Sequence, residues 1–203
     1  MNKTNRNLTI DGVCQTIKND IDYYNNLNSI KNDIGFKRNG DNIFLLTTRF
    51  NQISETKTEN LIKYVSSKSE NVYSHLLNKL VKQHHRAGRK QYHPTMWSFI
   101  DFAGSKTHQM RIHETPHIHS ILILHPSTVD AFNSLCEVDF KIALKSNNTK
   151  SIQEIHSQRI MQGDENLKKV IDYSGKVYLK NYIPGVSEEV KSTMFFGNGP
   201  SKI

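Results

Sequence analysis

The run "PHIHSILILHP", Pro116 to Pro126, constrains this chain of 203 residues more than any other stretch. It is short, rich in Ile and Leu and bounded by prolines, so it reads as a strand entering a protein core. Side chains alternate along a strand, which puts His117 and His119 on the same face. One histidine on an apolar strand is usually a satisfied core residue. Two on one face need a shared partner, and the spacing makes a pincer suited to a divalent ion. Imidazole serves several such ions, so the pair does not name the metal.

The neighbouring segments supply the rest of a sheet. "NIFLLTTRF" (Asn42 to Phe50) is dense in β-formers and follows the turn signal Asn39-Gly40, which marks a buried strand. From Thr56 to Arg86, apolar residues recur every three or four positions (Leu61, Tyr64, Val65, Val72, Leu76, Leu77, Leu80, Val81), a helix that Gly88 ends. Pro94 precedes the strand "TMWSFIDFA", and a polar connection then leads into "PHIHSILIL", the order of an antiparallel hairpin. "PSTVDAFNSLC" reads as a helix with Ser127 or Thr128 as cap. "SIQEIHSQRIM" reads as a strand, and "DENLKKVIDYSGKVYLKNY" as one closing helix. The tail "STMFFGNGPSKI" reads as irregular. Residues 1–40 form a helical extension with the rhythm Val13, Ile17, Ile21, Tyr24; residues 41–190 form the main domain and 191–203 the tail. The expected fold is α+β: a central antiparallel sheet with helices mainly on one face.

Charge narrows the partner. The formal net charge is +8, which favours a polyanion. Between Asn71 and His113 the single acid is Asp101, against Lys79, Lys82, Arg86, Arg89, Lys90, Lys106 and Arg111. A basic run of this kind is often no more than a solvated helix face, but here it adjoins the histidine pair and reads as a phosphate-tracking surface. No window approaches the roughly 18 to 20 apolar residues that span a bilayer. The N-terminus lacks the apolar core of a secretory signal, so a cytoplasmic protein is expected, in a bacterium or a phage-infected host. Cys14 and Cys136 are expected to be reduced and structural.

Asp101 interrupts "WSFIDFAG", where Trp97, Phe99 and Asp101 share a face. Paired with the histidine strand in like parity, Asp101 joins His117 and His119. Glu114 is nearer in sequence and ranks second. Two imidazoles and one carboxylate leave positions open for water and a substrate oxygen, which suits Mg²⁺ or Mn²⁺ acting on a phosphate. On the last helix, at about 100° per residue, Lys169, Tyr173, Lys176 and Lys180 form one stripe. Leu167, Val170, Ile171, Ser174 and Tyr178 form a separate, mostly apolar face. An ordinary phenol, with a pKa of about 10, is a poor nucleophile at neutral pH. Nearby ammonium groups favour its anion and the charge on a phosphate under attack. The plainer reading is a surface tyrosine among solubilising lysines.

Together these residues resemble the HUH endonucleases, in particular the rolling-circle replication initiators. "PHIHS" looks like their histidine–hydrophobe–histidine motif. "YSGK" (Tyr173 to Lys176) resembles their catalytic tyrosine with a lysine three residues on, and "IFLLTTRF" their first motif. The three occur in the family's order and span about Ile43 to Lys180. The resemblance implies a ferredoxin-like or RRM-like sheet and a divalent metal, Mg or Mn, on His117, His119 and a third polar ligand. It implies Tyr173 as nucleophile and Lys176 as its helper. The implied reaction is site-specific nicking and joining of single-stranded DNA through a 5′-phosphotyrosine, initiating replication of a plasmid or phage. Single-stranded or hairpin origin DNA is the implied substrate, with a host helicase and polymerase as partners. Lys79, Lys82, Arg86, Arg89, Lys90, Arg111, Lys169 and Lys180 would contact DNA. Val177 stands where two-tyrosine relatives carry the second tyrosine, which favours a single nucleophile. Tyr23 and Tyr24 are the controls for the relaxase branch. A single-tyrosine transposase and a non-cutting nucleic-acid-binding module of the same fold remain the alternatives.

Overall fold

The computed structural model describes residues 10–29, 42–51, 57–102, 116–138, 140, 150–161, 164–179 and 193–197. The chain runs α1 (Ile10–Ser29), β1 (Ile43–Phe50), α2 (Thr58–Leu80), a 3₁₀ segment (Ala87–Tyr92), β2 (Thr95–Asp101) and β3 (His117–Ile123). A 3₁₀ turn (Pro126–Thr128) then leads into α3 (Val129–Glu137), followed by β4 (Ile152–Arg159), α4 (Asp164–Ser174), α5 (Lys176–Leu179) and β5 (Thr193–Phe196). The strands form one sheet in the order β4-β1-β3-β2-β5, antiparallel at every pairing. From β1 to β4 this is the β-α-β-β-α-β order of a ferredoxin-like fold. The α+β class and antiparallel sheet are those expected from the sequence.

Strand parity decides which side chains meet which helix. Phe44, Leu46, Met96, Ile100, Ile118 and Leu122 face α2 (Leu61, Ile62, Val65, Val72, Leu76, Leu80) and Phe132 of α3. Ile43, Trp97, Phe99, Ile121 and Ile123 face the opposite way, against Val13, Cys14 and Ile17 of α1 and Leu167 and Ile171 of α4. The two crossover helices α2 and α3 thus share one face, and α1 and α4 cover part of the other. This is why β2 and β3 are apolar on both sides rather than alternating: β2 is buried at every position. The N-terminal helix belongs to the core, with Val13 and Ile17 fully buried.

Three sequence expectations shift. The helix expected from Thr56 to Arg86 stops at Leu80. Val81 turns extended and is buried, and Gln83 takes a positive φ of 55°. The closing helix is broken at Gly175, which separates α4 from the one-turn α5. The tail expected to be irregular supplies β5, pairing Phe99↔Thr193 through Met96↔Phe196. At α3, Thr128 stands at the expected N-cap position but its side chain makes no capping bond; His125 caps the preceding 3₁₀ turn, its Nδ1 accepting from the Ser127 N–H at 3.2 Å. Among the described residues no helix is long and apolar enough to cross a membrane. Both cysteines are free, and burial raises the pKa of each thiol.

Candidate active site

The site grows out of the register of three strands. Seven consecutive pairs join β2 to β3, ending with Phe99↔His119 and Asp101↔His117. On the other side of β3, Thr47 stands opposite His119 and Arg49 opposite His117. Along this face the sheet is apolar at Trp97, Ile121 and Ile123, under α1 and α4, and turns polar at His119, His117 and Asp101. The ligand-bearing residues therefore sit where the helical cover gives out. The register answers why a core-bound strand carries two histidines: they lie at its emerging end.

Asp101, His117 and His119 form a group able to hold a metal ion, with ligand atoms all within 4.8 Å of one another. Asp101 Oδ2 lies 3.1 Å from His117 Nε2 and 3.4 Å from His119 Nε2. Ligands about 2.1 Å from a common ion, bound at adjacent positions, are themselves separated by about 3.0 to 3.4 Å. Both measured separations fit that range. Asp101 is 1% exposed and His119 3% exposed. His119 Nε2 is buried without a hydrogen-bond partner, a costly arrangement unless a ligand takes the lone pair. The other ring nitrogen, Nδ1, is 3.2 Å from Thr47 Oγ1. With Nδ1–H donating to that hydroxyl, Nε2 is left as the unprotonated nitrogen a metal needs.

Burial holds the His119 pKa below the ordinary imidazole value. Asp101 opposes that shift, while the charges of His117 and Lys176 add to it. The neutral ring is thus the favoured form, and less proton competition stands against metal binding. Asp101 is fixed from behind: its Oδ1 accepts from the Phe102 backbone N–H at 2.9 Å.

Tyr173 and Lys176 come to this group from the C-terminal helices. The Tyr173 ring centroid is 5.0 Å from that of His119, and the residue is 40% exposed. Lys176 Nζ lies 2.5 Å from Asp101 Oδ2 and 4.3 Å from the Tyr173 ring centroid. Tyr173 and Lys176 stand on either side of the break at Gly175, and both reach the candidate metal group. Lys169, one turn before Tyr173, is exposed, and Val177 is buried in the core. A second tyrosine at that position would have no access to the site.

The remaining candidates divide. Lys79, in the last turn of α2, and Lys82, Arg86, Arg89 and Lys90 are exposed. They precede β2, whose far end carries Asp101, so about 20 Å of strand separates them from the metal group. The sequence places them beside the histidine pair; the structure does not. Glu114, Arg111, Lys106, Lys180 and Tyr182 lie outside the described residues, as do the side chains of Tyr24 and Tyr178. Tyr23 is partly buried against the α1 core cluster. Two partners went unread in the sequence. Thr47 was legible only as part of a strand motif, and Arg49, paired to Glu154 at 2.7 Å, carried no signal.

No protein-family model, curated protein or solved structure matches the chain.

Proposed function

We propose that this protein is a metal-dependent nicking and joining endonuclease of the HUH type, acting on single-stranded DNA with Tyr173 as its only nucleophile. The observation that carries the reading is the packing of the accessible Tyr173 ring against His119, itself in a group fit for a metal. A buried structural metal site would have no use for a half-exposed phenol and a lysine at its rim. A divalent ion there, Mg²⁺ or Mn²⁺, supplies Lewis-acid polarisation of the scissile phosphodiester.

The chain's own groups do the rest. His117, His119 and Asp101 would hold that ion at a position set by the sheet register. The Tyr173 phenol, losing its proton, attacks phosphorus; the bond to the 3′ oxygen breaks, and that oxygen takes up a proton. The products are a 5′-phosphotyrosine and a free 3′-hydroxyl. Because the covalent link retains the phosphoester, the 3′-hydroxyl can reverse the step and join strands. The Lys176 ammonium stabilises charge on the phenolate and the phosphate. The substrate in this reading is single-stranded or hairpin origin DNA of a plasmid or phage, with strand separation and synthesis supplied by a host helicase and polymerase. A single-tyrosine transposase would use the same chemistry on different ends.

The test is incubation of fluorescent single-stranded origin oligonucleotides with Mn²⁺, followed by a denaturing gel. Wild type gives a covalent adduct and Tyr173→Phe gives none. An adduct that survives in Tyr173→Phe rejects the nucleophile. Binding without an adduct, across varied sequences and metals, points instead to a non-cutting nucleic-acid-binding module.

A further inference from the structure

One oxygen of Asp101 faces three nitrogens. Its Oδ1 is committed to the Phe102 N–H, so Oδ2 is the oxygen turned toward His117, His119 and Lys176. An ion held by the two histidines and Oδ2 must share that oxygen with an ammonium whose side chain is only 11% exposed. Like charges a few ångströms apart repel far more strongly in a partly desolvated pocket than in water. One of the two must yield. The histidines and Asp101 are pinned by sheet register. Lys176 is a point charge on a flexible four-carbon stem, carried by a one-turn helix that Gly175 separates from α4.

We propose that Lys176 is the resident counter-ion of Asp101 in the metal-free protein, and that binding of a divalent ion exchanges it off the carboxylate. The inference rests on reading Asp101, His117 and His119 as the metal centre. It adds an order of events: the lysine becomes available to a phosphate only after the ion is in place. The Tyr173 ring, 4.3 Å from Nζ, holds the departing ammonium by a cation–π contact. The displaced charge therefore moves along the nucleophile rather than into bulk water.

The test is amine acylation of the full chain with and without Mn²⁺, read by peptide mass spectrometry, with exposed Lys169 as internal reference. Labelling of Lys176 rises several-fold with Mn²⁺ while Lys169 stays constant, and Asp101→Asn raises Lys176 labelling without metal. By calorimetry, Lys176→Met binds Mn²⁺ about tenfold more tightly than wild type, because no cation has to leave. Wild type that binds Mn²⁺ with unchanged or reduced Lys176 labelling overturns the exchange and leaves the metal centre standing. Wild type that takes up no Mn²⁺ overturns the metal centre and the exchange with it.

Discussion

The two ends of the sheet carry similar residues and have different chemistry. Among the described residues, histidines stand at both ends. Where β2 ends and β3 begins, two imidazoles converge on a buried carboxylate, and one ring nitrogen has no hydrogen-bond partner. At the opposite end, the histidines are already engaged. His93 Nε2–H donates to the His84 carbonyl at 2.8 Å, and the His125 ring packs against Tyr92 at 4.7 Å with its Nδ1 capping the next turn. That end holds exposed cations, and no acidic residue lies between Asn71 and Ile100. Among the described residues, a ring nitrogen without a hydrogen-bond partner lies beside a buried carboxylate only at the end where β2 stops and β3 starts.

Substitutions at the reactive end should have the largest effects. Tyr173→Phe is expected to lower single-turnover cleavage by about a thousandfold or more, with Mn²⁺ uptake by calorimetry unchanged. Loss of uptake in that variant would merge two roles that the geometry keeps separate. His119→Ala should abolish Mn²⁺ binding. Thr47→Val, which removes the hydroxyl orienting His119, should weaken it by about 10- to 100-fold, and Thr47→Ser should restore it. Equal affinity in Thr47→Val would show that the ring needs no orienting partner.

Substitutions at the far end should act on affinity alone. Replacing Lys82, Arg86, Arg89 and Lys90 with glutamine should weaken binding to long DNA and flatten its salt dependence, by about one unit of log–log slope for each phosphate no longer neutralised. Cleavage of a short oligonucleotide bound at saturation should be unaffected. A slower chemical step would mean that the two ends communicate.

The smallest effect is a pH dependence. Burial lowers the His93 pKa, with the bond to His84 acting against the shift. A depressed value means that the unfolded chain takes up the proton more readily. The stabilising contribution is therefore complete above the ordinary imidazole value of about 6.5 and is lost as pH falls through the folded one. Urea midpoints should drop between pH 7.5 and 5, and His93→Gln should reduce the slope. His119 acts in the same direction, so some dependence should remain.

Periodicity made most of the fold readable. Alternation put Asp101 beside the histidines only for a pairing in like parity, since a register shifted by one residue would turn it to the other face; the observed register, Asp101↔His117, is of that kind. The helical stripe from Lys169 to Lys176 likewise anticipated that Tyr173 and Lys176 share a side. What the sequence hid was tertiary. Nothing local announces that α2 ends at Leu80, since Val81 leaves helical geometry to fill the core. The four residues of β5 are strand only because the edge of β2 pairs with them. The basic run looked adjacent to the histidines because β2 is short in sequence, although its extended rise carries the two apart.

The pairing of Asp101 with His117 as the last rung of a seven-rung ladder separates metal geometry from chain length. Fifteen residues intervene between them, but the distance between their ligand atoms is set by the ladder. Segments of other lengths could be grafted there, or new termini opened, without detuning the centre. The joining segment could then vary in sequence and length while the candidate ligands stay in place.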